Sequence, residues 1–335
     1  MAASLMSLMS SVLGIRARPG AVPPAAAAAT GLFAKTDPAA DGDECLLDCD
    51  SCTVRYPRGF DVDVEDQLYG HVKAWSTHLL VGTGKADWVR DVADEKGSVM
   101  EAVERAGAPA NGRLMLSASN MPTPHGTSDY SEPTTVLLLP AFILVHNVHP
   151  LNVPTLLGDV VEKAPTSTSP LDAAAALPRS LPSPDPSIPA LGTEPCPHGA
   201  VILMCSQRTR DARCGQSAPL LKRELERHLR PLGLYRDLHD GRPGGVAIYF
   251  ISHVGGHKYS ANVMVYRRPN AFGHDDEPSP GTAGDGGAAQ CIWLARVRPE
   301  DCENLVRYTV LKGKVVKPES QLRGGFDRAK GLTSW

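Results

Sequence analysis

Aromatic residues are scarce in this sequence, because phenylalanine, tryptophan and tyrosine together make up only 5% of its 335 residues. Any core must therefore be mostly aliphatic. Long apolar runs are missing as well. The longest, TVLLLPAFILV at residues 135–145, contains Pro140 and is shorter than the ~18 residues that span a bilayer. This run therefore predicts a buried strand, and the sequence predicts no membrane span.

The sequence also lacks an excess of positive charge. Its 34 lysines and arginines face 37 aspartates and glutamates, which leaves a net charge of -3. This balance argues against a nucleic-acid-binding protein that works through a general phosphate-neutralising surface. The length predicts about two domains. The 31 glycines and 29 prolines predict irregular linkers within a folded chain.

Two segments are set apart from the predicted domains by their composition. Residues 1–36 contain no aspartate or glutamate, and they fit either a mitochondrial transit peptide or a disordered tail. Residues 164–197 contain nine prolines, each of which removes a backbone donor, and they predict a linker. The predicted domains are 37–163 and 198–317, the second with a disordered Gly/Asp-rich insertion at 273–289, followed by a tail at 318–335.

Strand-like and helix-like patterns alternate in both predicted domains, which indicates the α/β class. In the second domain the order is strand, helix, strand, strand, strand, helix, which is that of a thioredoxin-like domain. The predicted elements are strands at 76–81, 113–117 and 135–145 with a helix at 88–106, and then strands at 200–204, 246–252, 261–266 and 291–297 with helices at 217–230 and 299–313.

Cysteine and histidine pairs follow two of these strands. Cys205 and Cys214 form a C-x8-C pair, and His253 and His257 form an H-x3-H pair around Gly255 and Gly256. If the two strands are parallel neighbours, both pairs lie at the same sheet edge. The glycines permit positive φ or the close approach of a bulky inorganic ligand.

Two thiolates and two imidazoles suit either Zn²⁺ or a [2Fe–2S] cluster with mixed ligands. Zinc knuckles usually have a shorter spacing between their cysteines than C-x8-C. A two-iron cluster is larger than one ion and tolerates wider loops. The spacing therefore favours the cluster and leaves zinc open.

The sequence resembles the fungal and plant sucrase/ferredoxin-like family. The resemblance rests on three motifs, which are CSQRTRDARCG from Cys205, SHVGGHKYSANVMVY from Ser252 and HLLVGTGKADWVRDVADEKGSVMEA from His78. It implies a C-terminal thioredoxin-like ferredoxin domain that holds one [2Fe–2S] cluster. The N-terminal domain is predicted to be thioredoxin-like as well, without a cluster. The implied ligands are Cys205, Cys214, His253 and His257. Gln207 departs from the family, in which a histidine that is not a ligand often occupies this position.

Histidine ligands carry less negative charge than thiolates, so the potential is expected above that of an all-cysteine ferredoxin and to vary with pH. Arg210, Arg213 and Lys258 lie beside the ligands in sequence. They are predicted either to hydrogen-bond the cluster and steer an acidic redox partner or to be solvated loop charges.

The remaining cysteines and the last residue give further hypotheses. Cys45, Cys49 and Cys52 predict a second metal site, a redox-active C-x2-C pair or ordinary loop thiols. Cys196, Cys291 and Cys302 are predicted to be packed thiols. The terminal Trp335 resembles a tag that iron–sulfur clients present to their assembly machinery, although Thr333 stands where the tag usually has an aliphatic residue.

The function predicted from these patterns is electron transfer or redox sensing through a [2Fe–2S] cluster, with a redox partner that the sequence does not identify. A substrate-converting enzyme is less favoured, because no paired-carboxylate site or other substrate site is evident. The alternatives are a thiol oxidoreductase that uses the N-terminal cysteines and a zinc-stabilised interaction module. The predicted compartment is the cytoplasm or the mitochondrion.

Overall fold

One thirteen-stranded sheet runs through both halves of the computed structural model, which describes residues 31–172, 177–275 and 286–335. Its strands follow the order β13-β12-β11-β10-β7-β9-β2-β1-β3-β4-β6-β5, and β8 pairs with β9. They are β1 Thr77–Gly82, β2 Leu114–Ser119, β3 Thr134–Leu139, β4 Ile143–Val148, β5 Ser180–Leu181, β6 Leu191–Pro195, β7 Ala200–Cys205, β8 Tyr235–Arg236, β9 Val246–Ile251, β10 Val263–Arg267, β11 Gln290–Leu294, β12 Leu322–Asp327 and β13 Leu332–Ser334.

Few helices accompany this sheet, so the fold is mixed α/β with a predominance of strand. They are α1 Pro38–Asp41, α2 Val99–Ala106, α3 Val153–Thr155, α4 Ala212–Leu229, α5 Cys302–Asn304 and α6 Pro318–Gln321, with π-helical continuations of α3 over Leu156–Val161 and of α5 over Leu305–Val310. Among the described helices, none combines the length and apolarity that a bilayer crossing requires.

The two halves of the chain repeat one topology. In the first half β1 and β2 are parallel and joined through α2, and β3 and β4 extend the sheet antiparallel on the other side of β1. In the second half β7 and β9 are parallel and joined through α4, and β10 and β11 extend the sheet in the same way. This is the α/β alternation predicted from the sequence. The thioredoxin-like assignment of each half stays a prediction.

The halves meet where the edge strands β2 and β9 pair antiparallel. The Asn120 amide donates to the Phe250 carbonyl at 3.1 Å, and the Ser252 amide donates to the Ala118 carbonyl at 2.9 Å. The Asn120 side chain also accepts from the Phe250 amide at 2.8 Å. Main-chain bonds therefore join the halves into one sheet directly beside the His253 loop.

Strand β7 is buried on both faces, which explains its continuous apolar sequence AVILMC. Ile202 and Met204 pack in one core with α4, whereas Val201 and Leu203 pack in the core on the other face. Leu221 and Leu225 form part of the apolar face of α4. Two layers therefore hold β7 in place.

Two predicted helices begin at other residues in the structure. The predicted helix 88–106 is wrong in its first part, because α2 begins only at Val99, where Ser98 caps it and Gly97 has a φ of +72°. The predicted helix 217–230 begins earlier, at Ala212, because the Asp211 side chain accepts from the Arg213 amide and caps α4 there. Both starts follow the caps rather than the apolar periodicity.

The apolar run 135–145 forms two antiparallel strands rather than one. Strand β3 ends at Leu139 and β4 begins at Ile143. The turn between them contains Pro140, which has no amide donor, and Phe142, whose φ is +57°. The chain therefore reverses within a run whose one polar residue is Thr135, at its start.

Segments predicted to lie outside the domains join the sheet and its cores. The predicted linker 164–197 supplies β5 and β6, and β6 pairs with β4. The predicted tail 318–335 supplies β12 and β13. Leu32 and Phe33 are buried in the second-half core, whereas the rest of the predicted N-terminal extension, residues 1–30, lies outside the described residues. Of the predicted insertion 273–289, residues 276–285 lie outside them too, and Ala288 and Ala289 are buried.

A buried histidine links the first half to the second. His78 on β1 lies 3.1 Å from the Tyr266 hydroxyl on β10 and 2.9 Å from the Ser117 hydroxyl on β2. Trp75 Nε1 donates to the same Tyr266 hydroxyl at 3.2 Å. Burial lowers the pKa of His78 to about 3. The imidazole is therefore neutral in the folded protein.

We expect the free energy of unfolding to decrease as the pH falls, because of this histidine and His198. Burial lowers the pKa of His198 to about 4. Both groups bind a proton near pH 6.5 when unfolded, so each contributes stability above that pH that is lost as the pH falls toward its folded pKa. The loss approaches about 1.4 kcal/mol per pH unit for each group. The free energy of unfolding, measured with urea from pH 7 to pH 4, should change less steeply with pH in His78→Gln than in the wild type. His125→Gln, a change at an exposed histidine, should leave the slope as it is, and equal slopes in all three proteins would contradict the assignment.

Candidate metal centre

Two parallel strands deliver the predicted ligands to one edge of the sheet. Cys205 is the last residue of β7, and it pairs in register with Ile251, the last residue of β9. His253 follows β9 by two residues, and His257 begins a 3₁₀ turn, His257–Tyr259. Cys214 lies in the first turn of α4. The two sequence pairs therefore meet as the parallel arrangement predicts.

The four side chains approach closely and differ in exposure. The sulfur atoms of Cys205 and Cys214 and one ring nitrogen of His253 all lie within 4.8 Å of one another. Cys205 Sγ is 3.8 Å from His253 Nδ1, and the rings of His253 and His257 have centroids 5.2 Å apart. Cys205 and Cys214 are 2% and 0% exposed, whereas His253 is half-buried and His257 is exposed. The sulfur side of the site is thus sealed, and the imidazole side faces solvent.

Hydrogen bonds in the site favour one thiolate. The Cys214 thiol and then His253 hydrogen-bond the Cys205 sulfur and lower the pKa of Cys205, against the effect of its burial. The same bond to Cys205, together with burial, raises the pKa of Cys214. Burial and the neighbouring His253 lower the pKa of His257. The site therefore presents a thiolate and a neutral imidazole near neutral pH, which are the forms that bind metals.

The histidine loop depends on its two glycines. Gly255 and Gly256 have φ angles of +96° and +70°, which L side chains rarely adopt. A Cβ on Gly256 would lie 2.6 Å from the guanidinium of Arg323. At Gly255 there is open space around the same position. Gly256 is therefore required both by its backbone conformation and by the side chain packed on it.

Arg323, on β12, hydrogen-bonds this loop and packs against it. Its Nη1 donates to the Gly255 carbonyl at 3.0 Å and to Asn262 Oδ1 at 2.8 Å. The guanidinium lies 4.3 Å from the ring centroid of Trp293, and the residue is only 4% exposed. Burial lowers the pKa of Arg323 to about 10, so it remains a cation at neutral pH. A buried positive charge thus contacts the backbone between the two histidines.

Gln207 joins the site to the first half. Its Oε1 accepts from the His253 amide at 2.8 Å, and its Nε2 donates to the Val89 carbonyl at 2.5 Å. Ser206 also donates to the Ala86 carbonyl at 2.7 Å. The loop between β1 and α2 therefore covers the loop after Cys205. Gln207 serves as a connecting residue at the position where the family resemblance implies a histidine.

Two of the predicted cations beside the ligands are held in ion pairs. Arg213 pairs with Asp211 at 2.7 Å and donates to the Asp61 carbonyl at 3.0 Å. Lys258 pairs with Asp66 and lies 3.4 Å from Asp63. These bonds fasten residues 61–66 along the histidine loop. The described contacts therefore give Arg213 and Lys258 a structural role.

Arg210 differs from the other two cations in its contacts. Its Nη1 lies 3.5 Å from the Arg90 carbonyl, in the same first-half loop that Gln207 reaches. Its Nε is buried and has no hydrogen-bond partner in the described part of the chain. Arg210 is therefore the predicted cation with a donor still available beside the site.

The packed thiols and the terminal tryptophan have definite places. Cys196, Cys291 and Cys302 are buried, as predicted, and burial raises the pKa of Cys196 to about 11. Trp335 packs on Trp75 with ring centroids 4.3 Å apart, and the preceding residues form β13. The assembly-tag role of Trp335 stays a prediction, for a residue that here is docked against the sheet.

The model of the sucrase/ferredoxin-like family matches residues 68–324, which include both topological repeats and all four predicted ligands. The chain belongs to the sucrase/ferredoxin-like family. Actin patches distal protein 1 of Saccharomyces cerevisiae is 28% identical over 300 residues, which cover 85% of each chain. No solved structure matches the chain.

Two other relatives match a shorter part. They are forms of altered inheritance of mitochondria protein 32, from Clavispora lusitaniae, 31% identical over 120 residues, and from Debaryomyces hansenii, 33% identical over 117 residues. These matches cover 36% and 35% of this chain and 33% of each relative. The chain thus spans most of the actin-patch relative and aligns with about a third of these two.

Sequence reasoning missed three features, of which the first two lie beside the candidate site and the third lies apart from it, at the other end of α4. Arg323 comes from a segment predicted as a tail, and residues 61–66 were predicted only as part of the first domain. The third is a cluster of Cys49, His228 and Glu303, whose ligand atoms lie within 4.8 Å of one another. The C-x2-C spacing was the available signal for Cys49, but no sequence pattern pairs it with residues on α4 and α5.

We expect Gly256→Ala to destabilise this loop more than Gly255→Ala. Both variants force an L side chain into positive φ, at a cost of roughly 1 kcal/mol or more. Only the Gly256 variant also pushes a methyl group against Arg323. Urea unfolding of both variants measures the difference. Equal free energies of unfolding would show that Arg323 moves away freely and does not support the loop.

Proposed function

We propose that this protein binds a [2Fe–2S] cluster through Cys205, Cys214, His253 and His257 and acts in electron transfer or redox sensing. The observation that carries the proposal is the meeting of two thiols and two imidazoles at one sheet edge, on loops that leave β7 and β9. The family membership supports the ferredoxin-like assignment.

The donor set fits such a cluster. It provides the four ligands that a [2Fe–2S] centre requires, and mixed cysteine and histidine ligation is known chemistry for it. The thiolate form of Cys205 and the neutral form of His257 are favoured, so the proton that binding must displace is that of Cys214. The buried sulfurs and the exposed His257 would place the histidine side toward a redox partner.

When bound, the cluster supplies one-electron chemistry, at a potential that histidine ligation raises above that of an all-cysteine centre. The protein's own residues fix the surroundings. Gln207 holds the His253 amide, and Arg323 holds the Gly255 carbonyl. The Arg323 cation stabilises added negative charge nearby, because the protein interior screens it weakly. These residues therefore set both the position and the electrostatic environment of the ligands.

Zinc is the second candidate, favoured by a specific distance. Donors to one ion lie close together, and Cys205, Cys214 and His253 do so within 4.8 Å. With His257 or water as the fourth ligand, this group would form a structural or open zinc site. The protein would then be a zinc-stabilised interaction module.

Anaerobic purification, visible and EPR spectra, and assays of iron, sulfide and zinc separate the two candidates. The proposal predicts a coloured protein with about two irons and two sulfides per chain. His253→Cys and His257→Cys should each shift the spectrum, because a thiolate replaces an imidazole on the iron. His125→Cys is the matched control at an exposed histidine, and it should leave the spectrum unchanged. A colourless protein with one zinc and no iron would refute electron transfer through this site.

Arg323 gives a quantitative test of the site's electrostatics. Arg323→Gln removes a buried cation next to the histidine loop, so the midpoint potential should fall on the order of tens of millivolts. Arg328→Gln is the matched control, because Arg328 is also 4% exposed but donates to the Ser169 and Ala288 carbonyls instead. Protein-film voltammetry measures both variants. Equal potentials in the two would remove Arg323 from the set of tuning residues.

A further inference from the structure

A second sulfur site lies where the N-terminal segment packs on the second half. The Cys49 amide donates to the Glu300 carbonyl at 3.0 Å, and the Thr53 amide donates to Glu224 Oε1 at 3.2 Å. Glu224 is buried on α4 and also pairs with Arg227 at 2.8 Å. The segment that carries Cys49 and Cys52 is therefore held in a fixed position against α4.

The sulfur of Cys49 is surrounded by polar groups. Arg227 Nη2 donates to Cys49 Sγ at 3.4 Å, and Ser51 Oγ lies at 3.4 Å from the same sulfur. His228 Nε2 is 4.0 Å away. The carboxylate of Glu303 also hydrogen-bonds Cys49, and it pairs with Arg307 at 2.7 Å. The guanidinium and hydroxyl donors can stabilise negative charge on the sulfur while it reacts.

The arrangement suits a thiolate better than a metal ion. Arg227 Nη2 also lies 3.0 Å from His228 Nε2, so one guanidinium group occupies the space between the sulfur and the imidazole. A divalent cation would have to displace that guanidinium from both donors. A guanidinium beside a sulfur opposes a dication and stabilises an anion. The geometry therefore favours thiol chemistry over metal binding.

Cys52 has a different environment. Its thiol donates to the Val54 carbonyl at 3.1 Å, and burial raises the pKa of Cys52. Cys49 and Cys52 are in C-x2-C spacing, the spacing of dithiol pairs that form a disulfide. The pair thus consists of one sulfur with cationic support and one held as a neutral thiol.

Both cysteines line an open groove of about 540 Å³. Charged residues of both signs line it too, which are Asp48, Asp50, Arg55, Arg296, Arg298 and Glu300. A small peptide disulfide that carries ammonium and carboxylate groups fits this mixture. Glutathione disulfide is such a compound.

We propose that Cys49 and Cys52 form a second redox site, a dithiol–disulfide pair that exchanges with glutathione disulfide in this groove. The Cys49 thiolate attacks one sulfur of glutathione disulfide, which forms a mixed disulfide and releases one glutathione thiolate. The Cys52 sulfur loses its proton to water and attacks Cys49 Sγ, which forms the Cys49–Cys52 disulfide and releases the second glutathione thiolate. The two protein sulfurs lose two electrons, and the glutathione disulfide gains them.

The first test uses full-length protein purified under anaerobic conditions and equilibrated in glutathione buffers of rising oxidised fraction. Free thiols are trapped with iodoacetamide, and peptides are identified by mass spectrometry. We expect the peptide that contains both cysteines to become an internal disulfide. Cys52→Ser should instead accumulate glutathione on Cys49, whereas Cys49→Ser should leave Cys52 unmodified. Cys45→Ser is the control for a nearby buried thiol and should leave the disulfide in place.

The second test measures the support that Arg227 gives to the thiolate. Arg227→Gln should slow alkylation of Cys49 at pH 7 by up to about tenfold, because the variant loses the guanidinium that stabilises negative charge on the attacking sulfur. Arg223→Gln removes an exposed charge from the same helix and should have little effect. The visible spectrum reports on the Cys205 site in every variant, so failure of this proposal is separate from failure of the proposed cluster.

Three results would overturn the dithiol proposal. One is an alkylation rate of Cys49 that equals the rate in an unfolded peptide in every variant. Another is the absence of a Cys49–Cys52 disulfide at every glutathione ratio. The last is a bound zinc that is lost in Cys49→Ser and in His228→Gln, which would make the Cys49, His228 and Glu303 group a metal site.

Discussion

The parallel pairing of β7 with β9 is the constraint on which the candidate site depends. Six residues of each strand pair in register, so the two strands end at the same level and their following loops begin side by side. Burial on both faces fixes this register, because a slip of one residue would turn every apolar side chain to the wrong core. The packing of apolar side chains on β7 and β9 thus determines where Cys205 and His253 lie.

This part of the molecule could be predicted from the sequence. The short apolar runs that precede Cys205 and His253 are local signals of strands. Because neighbouring parallel strands end at the same edge of a sheet, these two residues are expected to lie close together. The alternation of strands and helices, the four candidate ligands and the packed thiols followed from patterns of this kind. The structure places the predicted elements close to their expected positions, with two kinds of exception. Two helix starts depend on caps at Ser98 and Asp211, and the run 135–145 forms two strands instead of one.

The contacts that support the site could not be predicted in the same way. Arg323 follows His257 by more than sixty residues in the chain, and residues 61–66 precede His257 by nearly two hundred. No sequence periodicity therefore connects these residues to the histidine loop. The proline-rich segment 164–197 also shows the limit of composition as a guide. Proline excludes a central strand, but β5 is the outermost strand and pairs only with Leu191 and Gly192 of β6. Pro195, the proline of β6, therefore lies where β6 itself forms the edge and a missing donor is tolerated.

The two topological repeats differ in the residues at their strand ends. Gly82 ends β1 as Cys205 ends β7, and Met121 follows β2 as His253 follows β9. A Cβ on Gly82 would lie 2.9 Å from the Thr135 carbonyl, so no cysteine fits there. The first half therefore has neither a thiol nor an imidazole at these two positions. It instead supplies the carbonyls of Val89 and Ala86 to which Gln207 and Ser206 donate, so one repeat carries the candidate ligands and the other braces their loop.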